Sequence, residues 1–178
     1  MRRIFLIGYM GSGKTTLGKA FARKSGLEFI DLDWYIEERM HRSIQELFAE
    51  KGEAGFRETE RKMLHEAGEF EDVVIACGGG TPCFFDNMDF MNKAGSTVFL
   101  DVCPEVLFRR LKVAKAKRPL LADKSEGELM GTIVSALEKR MPYYSQARYR
   151  FNAERLESHS QIDSSVTQLE NLLDMNKT

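Results

Sequence analysis

The sequence is short of several things, and each shortage excludes a class of protein. It has three cysteines, Cys77, Cys83 and Cys103, in 178 residues. So sparse and odd a set builds no disulfide scaffold and points to a reducing compartment. No histidine clusters with these cysteines at the spacing of a metal site. No apolar run approaches the roughly 20 residues of a membrane helix. Net charge is lacking too: 26 basic residues face 27 acidic ones, leaving −1. That balance argues against a whole-protein field for nucleic acid or membrane, though not against a local basic site. Internal repeats and linkers are absent, so a single domain over residues 1–178 is expected.

What is present is an ordinary core fraction, 43% hydrophobic, in an alternating pattern. Met1-Arg2-Arg3 followed by Ile4–Ile7 mimics a signal peptide. The run stops at Gly8, short of the roughly 7–15 apolar residues such a segment needs, and reads as a buried strand. A helix is expected over Lys14–Lys24, stopped by Gly26, then a strand at Glu28–Leu32. Ser43 with Glu46, and Ser125 with Glu128, are capping boxes that open helices. Another helix is expected from about Phe56 to His65, strands at Val73–Cys77, Thr97–Val102 and Arg150–Asn152, and a last helix near Gln161–Leu173. Alternating strands and helices imply an α/β domain with a mainly parallel sheet.

Chemistry concentrates in a few places. Gly8-Tyr9-Met10-Gly11-Ser12-Gly13-Lys14-Thr15 fits G-x-x-x-x-G-K-[ST] between a strand and a helix. Glycines let successive amides turn inward around an anion, and the helix N-terminus adds its dipole. Lys14 supplies a point charge to the β- and γ-phosphates, and the Thr15 hydroxyl suits Mg²⁺. Asp31 and Asp33 flank Leu32 after the second strand and would share one face of an extended chain. They fit either a helix cap or a group that orients an alcohol and accepts its proton. Gly78-Gly79-Gly80 lies at a strand's carboxyl end, where open α/β sheets bind ligands. The strand-end Asp that often helps hold Mg²⁺ is replaced there by Cys77. Six of the ten residues from Arg109 to Arg118 are basic, in keeping with a solvated helix end or a segment that closes on phosphate.

Together these motifs, with Arg57-Glu58-Thr59-Glu60, Arg118-Pro119-Leu120-Leu121 and Arg140-Met141-Pro142-Tyr143-Tyr144, resemble the shikimate kinases over essentially the whole chain. The resemblance implies a three-layer P-loop NTPase domain with a five-stranded parallel sheet flanked by helices. It implies a small substrate-binding insertion near 33–60 and a lid near 112–124. It implies transfer of the γ-phosphoryl group of ATP to the 3-hydroxyl of shikimate, a step of chorismate and aromatic amino acid biosynthesis. Lys14, Asp33 and Arg118 would be catalytic. Asp33, Arg57, Gly79, Gly80 and Arg140 would bind shikimate, with Arg57 and Arg140 on its carboxylate and the glycine amides on its ring. Glu60 would orient Arg57, and Phe48 and Phe56 would wall the pocket. Gly11, Ser12, Gly13, Lys14, Thr15, Thr16, Arg110 and Arg118 would bind nucleotide, Arg110 by stacking on adenine. Thr15, and Asp31 through water, would hold Mg²⁺. The implied partners are shikimate and ATP, without nucleic acid or membrane, for a cytoplasmic monomer. The family's Asn-Pro turn near the C-terminus is missing from Glu154–Gln161, so the adenine contacts there do not carry over. A gluconate kinase on the same fold is the nearest rival, disfavoured by Arg57 and Arg140 beside the glycine run.

Overall fold

Strand β1, Arg3–Ile7, is apolar on both sides because it lies in the middle of the sheet. The computed structural model describes residues 2–115 and 125–174. Beside β1 are β2 (Glu28–Asp31), β3 (Val73–Ala76), β4 (Ser96–Asp101) and β5 (Tyr149–Asn152). All pairings are parallel and the order is β2-β3-β1-β4-β5. The helices are α1 (Lys14–Ser25), α2 (Leu32–Met40), α3 (Ile44–Ala67), α4 (Asn87–Ala94), α5 (Pro104–Lys115), α6 (Glu126–Tyr144) and α7 (His159–Asp174).

Alternate residues of β1 feed two cores. Ile4 and Leu6 pack with Leu17 and Phe21 of α1, Leu107 of α5, Ile133 of α6 and Val166 of α7. Phe5 and Ile7 pack on the other face with Ile36 of α2, Leu64 of α3 and Met91 of α4. The chain therefore leaves β1 toward one layer and β3 toward the other. That divergence opens a crevice at the carboxyl ends of β1 and β3, where this sheet class binds ligands. Helix α6 reaches both layers: Ile133 lies in the first core and Tyr144 in the second.

Both capping boxes form as the sequence implies. Ser43 and Ser125 each accept a bond from the amide three residues on, and Glu46 and Glu128 each return one. Such a cap is worth about 1 kcal/mol. Other expectations change. Only Asp31 of the Asp31-Leu32-Asp33 stretch is extended, and of the two readings offered for the pair the helix cap is realised. The Asp31 carboxylate accepts the amides of Asp33 and Trp34, so β2 stops there and α2 begins. The two helices expected after Ser43 and from about Phe56 are present but nearly continuous: α3 runs from Ile44 to Ala67 and is broken only at Gly52, whose φ 67° and ψ −178° are not helical. Helix α6 runs on past Arg140: Pro142 is accommodated in the last turn, and the helix continues until it buries Tyr144. Helix α4 was not legible. Arg118 and most of the expected 112–124 lid lie outside the described residues.

Candidate active site

The loop after β1 wraps a cleft of about 420 Å³. Gly11 and Gly13 hold φ of 81° and 96°, a region that residues with a Cβ rarely adopt. Gly13 also lies so close to Leu156 that a Cβ there would meet its methyl at 2.3 Å. Lys14 is folded over the loop, donating to the carbonyls of Gly8 at 2.7 Å and Tyr9 at 3.0 Å. Burial lowers its pKa to about 8, against the pull of Asp33, Cys77 and Asp31. An ammonium so desolvated gains from an arriving phosphate. Ser12 is buried beneath the loop with no partner for its hydroxyl.

The two aspartates differ in their surroundings. Asp31 caps α2 with one carboxylate oxygen and accepts the Thr15 hydroxyl at 3.3 Å with the other. Asp33, the second residue of α2, also lines the cleft. Its pKa rises to about 6, chiefly by burial, then through Asp31 and Glu60, with Lys14 opposing. A carboxylate poised there is ionised at neutral pH yet basic enough to take a proton. Thr15 and Asp31 form a pair of hard oxygen donors at the phosphate end, which suits Mg²⁺ completed by phosphate and water. Cys77 does not compete for that task. Burial raises its pKa, and its thiol contacts Met91 sulfur in the core at 3.7 Å.

The glycine run makes room for two arginines. A Cβ on Gly79 would lie 2.9 Å from an Arg140 nitrogen, and one on Gly80 would lie 2.6 Å from an Arg57 nitrogen. Both guanidinium groups thus press on the backbone beside Asp33, which itself approaches Gly78. Glu60, buried, accepts from Arg57 at 2.9 Å, as the family resemblance implied. Phe56 and Phe48 stack on each other at 4.2 Å beside that guanidinium. Phe84 lies closer, 4.2 Å from the Arg57 guanidinium carbon. The Arg57 Nε is buried and has no hydrogen-bond partner. Arg140 lies over the Tyr9 ring at 5.3 Å, and the Tyr144 hydroxyl donates to the Gly79 carbonyl at 2.7 Å.

Arg110 walls the other end. It donates to the carbonyls of Gly11 at 3.2 Å and Ala153 at 2.9 Å, and pairs with Glu157 at 3.0 Å. Glu157 and Leu156 stand where the Asn-Pro turn is missing, and both line the cleft with Gly13 and Thr16.

Of the described residues anticipated from sequence, Gly11, Gly13, Lys14, Thr15, Thr16, Asp31, Asp33, Gly79 and Arg110 line that one cleft, and Arg140 and Arg57 adjoin it through Gly79 and Gly80. Four contributors escaped that reading: Tyr144, Phe84, Thr81 and Glu157. Tyr144 was within a quoted motif, and its burial was the missing signal. The other three act through contacts with residues distant in sequence, which no local pattern carries.

A family model described as shikimate kinase matches residues 10–170. The shikimate kinase of Bacteroides thetaiotaomicron is 65% identical over 175 residues, covering 98% of this chain and 100% of the relative. That of Phocaeicola vulgatus is 68% identical over 169 residues, covering 95% and 97%. Among solved structures, a shikimate kinase from Bacteroides thetaiotaomicron superposes with a TM-score of 0.95 at 65% identity, over 97% of this chain and 98% of that one. A shikimate kinase from Acinetobacter baumannii, in complex with shikimate, gives 0.84 at 30% identity, over 100% and 96%. A gluconokinase from Sinorhizobium meliloti gives 0.56 at 19% identity over 98% and 97%, a likeness of fold alone. Because the match runs from the phosphate loop into α7, through the described segments that line the crevice, the chain belongs to the shikimate kinase family and is an ATP-dependent kinase.

Proposed function

We propose that this kinase transfers the γ-phosphoryl group of ATP to the 3-hydroxyl of shikimate, giving shikimate 3-phosphate and ADP for chorismate and aromatic amino acid synthesis. The observation that carries this reading is the placement of two guanidinium groups, Arg57 and Arg140, against Gly79–Gly80 beside a poised Asp33. A planar carboxylate on a ring with hydroxyls matches that set, since arginine forks bind carboxylates with fixed geometry. Gluconate also carries a carboxylate, but on a flexible open chain.

The triphosphate enters the cradle of amides from Gly11 to Thr16. Lys14 exchanges its two carbonyl partners for phosphate oxygens. Arg110, its edge held by Gly11, Ala153 and Glu157, would stack on adenine, as the resemblance implies. Arg57 and Arg140 take the shikimate carboxylate, and the amides of Gly79 and Gly80 take ring hydroxyls. Asp33 accepts a hydrogen bond from the 3-hydroxyl and holds its oxygen in line with the γ-phosphorus. As the new O–P bond forms and the bond to the β-phosphate oxygen breaks, the hydroxyl proton passes to Asp33. Lys14 faces the charge that accumulates on the transferred group, and Arg118, from the sequence resemblance, supplies a second cation. Thr15 directly, and Asp31 through water, would hold Mg²⁺, which supplies charge neutralisation and phosphate orientation.

The cytoplasm is the compartment that three unpaired thiols favour. A monomer suffices, since one chain supplies every group invoked. The test is a coupled ADP-release assay with shikimate, gluconate and nucleoside monophosphates as acceptors. Shikimate should be turned over at least about a hundredfold more efficiently than the others, as a desolvated charged site permits. Equal turnover of gluconate would overturn the acceptor assignment.

A further inference from the structure

The residue after the three glycines has no part in the scheme above, yet every polar group it owns is engaged. Thr81 opens a short 3-10 turn, Thr81–Cys83, and is fully buried. Its amide donates to the Gly78 carbonyl at 3.1 Å. Its carbonyl accepts from the Asn87 side chain at 2.8 Å, which ties the turn to the start of α4. Its hydroxyl donates to Glu60 Oε2 at 2.8 Å. The other Glu60 oxygen accepts from Arg57 Nη1 at 2.9 Å. A line of three hydrogen bonds therefore leads from α4, through Thr81 and Glu60, to Arg57.

We infer that Thr81 is a positioning residue for acceptor binding: its hydroxyl fixes the Glu60 carboxylate, and Glu60 then holds Arg57 in the attitude that takes the acceptor carboxylate. The inference rests on the reading that Arg57 binds that group. Its physical basis is the burial of Glu60. A buried carboxylate with donors on both oxygens has one orientation, whereas with one donor removed it rotates to find another. Arg57 has little freedom to follow, because Gly80 lies against its fork and Phe84 against its face. A small turn of Glu60 would then either drop the Arg57 bond or pull the guanidinium off the glycine edge. None of the hydrogen bonds of Thr81 goes to the phosphate loop or to the aspartates, so the nucleotide should not sense its loss.

Thr81→Val keeps the shape and removes the hydroxyl, whereas Thr81→Ser keeps the hydroxyl. Steady-state kinetics with each substrate varied should show Thr81→Val raising the shikimate KM by about 10- to 100-fold, the range for one hydrogen bond to a charged group. The ATP KM should stay within about twofold, and Thr81→Ser should restore the shikimate KM to within about threefold. On an Arg57→Ala background Thr81→Val should add almost nothing, since both act through one guanidinium. If Thr81→Val folds poorly, as a thermal melt would reveal, Thr81→Ala assayed at lowered temperature gives the same KM comparison. A shikimate KM unmoved by the loss of the hydroxyl, or both KM values rising together, overturns the role. Arg57→Ala separates the two levels of argument. If it raises the shikimate KM while Thr81→Val does not, only the role of Thr81 fails; if it leaves that KM unchanged, the arginine clamp fails with it.

Discussion

The phosphate end of the crevice is made from eight consecutive residues, Gly8 to Thr15, whereas the acceptor end draws Asp33, Arg57, Glu60 and Arg140 from three helices. In the proposed scheme backbone amides do most of the binding at the first, and the requirement on the chain is local: glycines at Gly11 and Gly13 where φ is positive. At the second, side chains hold one another: Thr81 holds Glu60, which holds Arg57, and Tyr144 holds the Gly79 carbonyl near Arg140. A cradle of the first kind serves any nucleoside triphosphate. A clamp of the second kind exists only after β3, α2, α3 and α6 have come together, and it can be tuned to one acceptor.

If the two ends are separable, single substitutions should damage one and spare the other. The largest effect is expected for Asp33→Asn. It preserves size and loses both charge and proton acceptance, so turnover should fall by about 10²–10⁴-fold. ATP affinity, read by titration calorimetry, should barely change. Turnover within about threefold of the parent would reduce Asp33 to a hydrogen-bond partner.

Next come Arg57→Ala and Arg140→Ala. Removing one partner from a desolvated charge pair costs about 2–5 kcal/mol, and the loss should appear in shikimate binding alone. An equal loss of ATP affinity would break the comparison, because it would mean that the two ends are coupled through Gly79 and the loop.

Lys14→Met probes the cradle in turn. The rate should drop by about 10²–10³-fold, the worth of a preorganised charge at the reacting group. The acceptor site should still bind shikimate. In the parent enzyme, nucleotide affinity should weaken as pH rises through about 8, where burial has brought the Lys14 titration.

The same division explains what the sequence made legible. Strands β1 and β3 are visible as short apolar runs, and both capping boxes announce their helices. The phosphate loop is legible because its function resides in one contiguous motif. The cap of α2 was legible as one of two readings but its helix was given no range, because Asp31 lies in a stretch that also fits an extended chain and only the bonds to the Asp33 and Trp34 amides decide between them. The glycine run was assigned to amide donors. Its geometry adds a second reason for glycine, the room taken by Arg57 and Arg140, and neighbours distant in sequence leave no local trace. Thr81 and Glu157 escaped for the same reason, each being half of a long-range pair.

The smallest effect concerns stability, and there the two ends should behave alike in size and oppositely in pH. Asp33 has its pKa raised from 3.8 to about 6 in the folded chain, so the native state holds its proton more tightly than the unfolded state does. Stability therefore falls as pH rises from about 4 to about 6, and above that the full cost of the buried charge is present, roughly 3 kcal/mol for two pKa units. Lys14 has its pKa lowered from 10.5 to about 8, so the unfolded state is the tighter proton binder. Its cost, also roughly 3 kcal/mol, is full below about pH 8 and fades as pH rises toward 10.5. Each substitution that removes the charge should thus stabilise the fold while it damages catalysis. The gain for Asp33→Asn, measured by chemical denaturation against the parent, should be near zero at pH 4 and complete by pH 7. The gain for Lys14→Met should already be complete at pH 5 and should shrink above pH 8. Gains that ignore pH would mean that the two groups do not sit desolvated and charged in the free enzyme, and the opposition between a buried cation at one end and a buried anion at the other would fail.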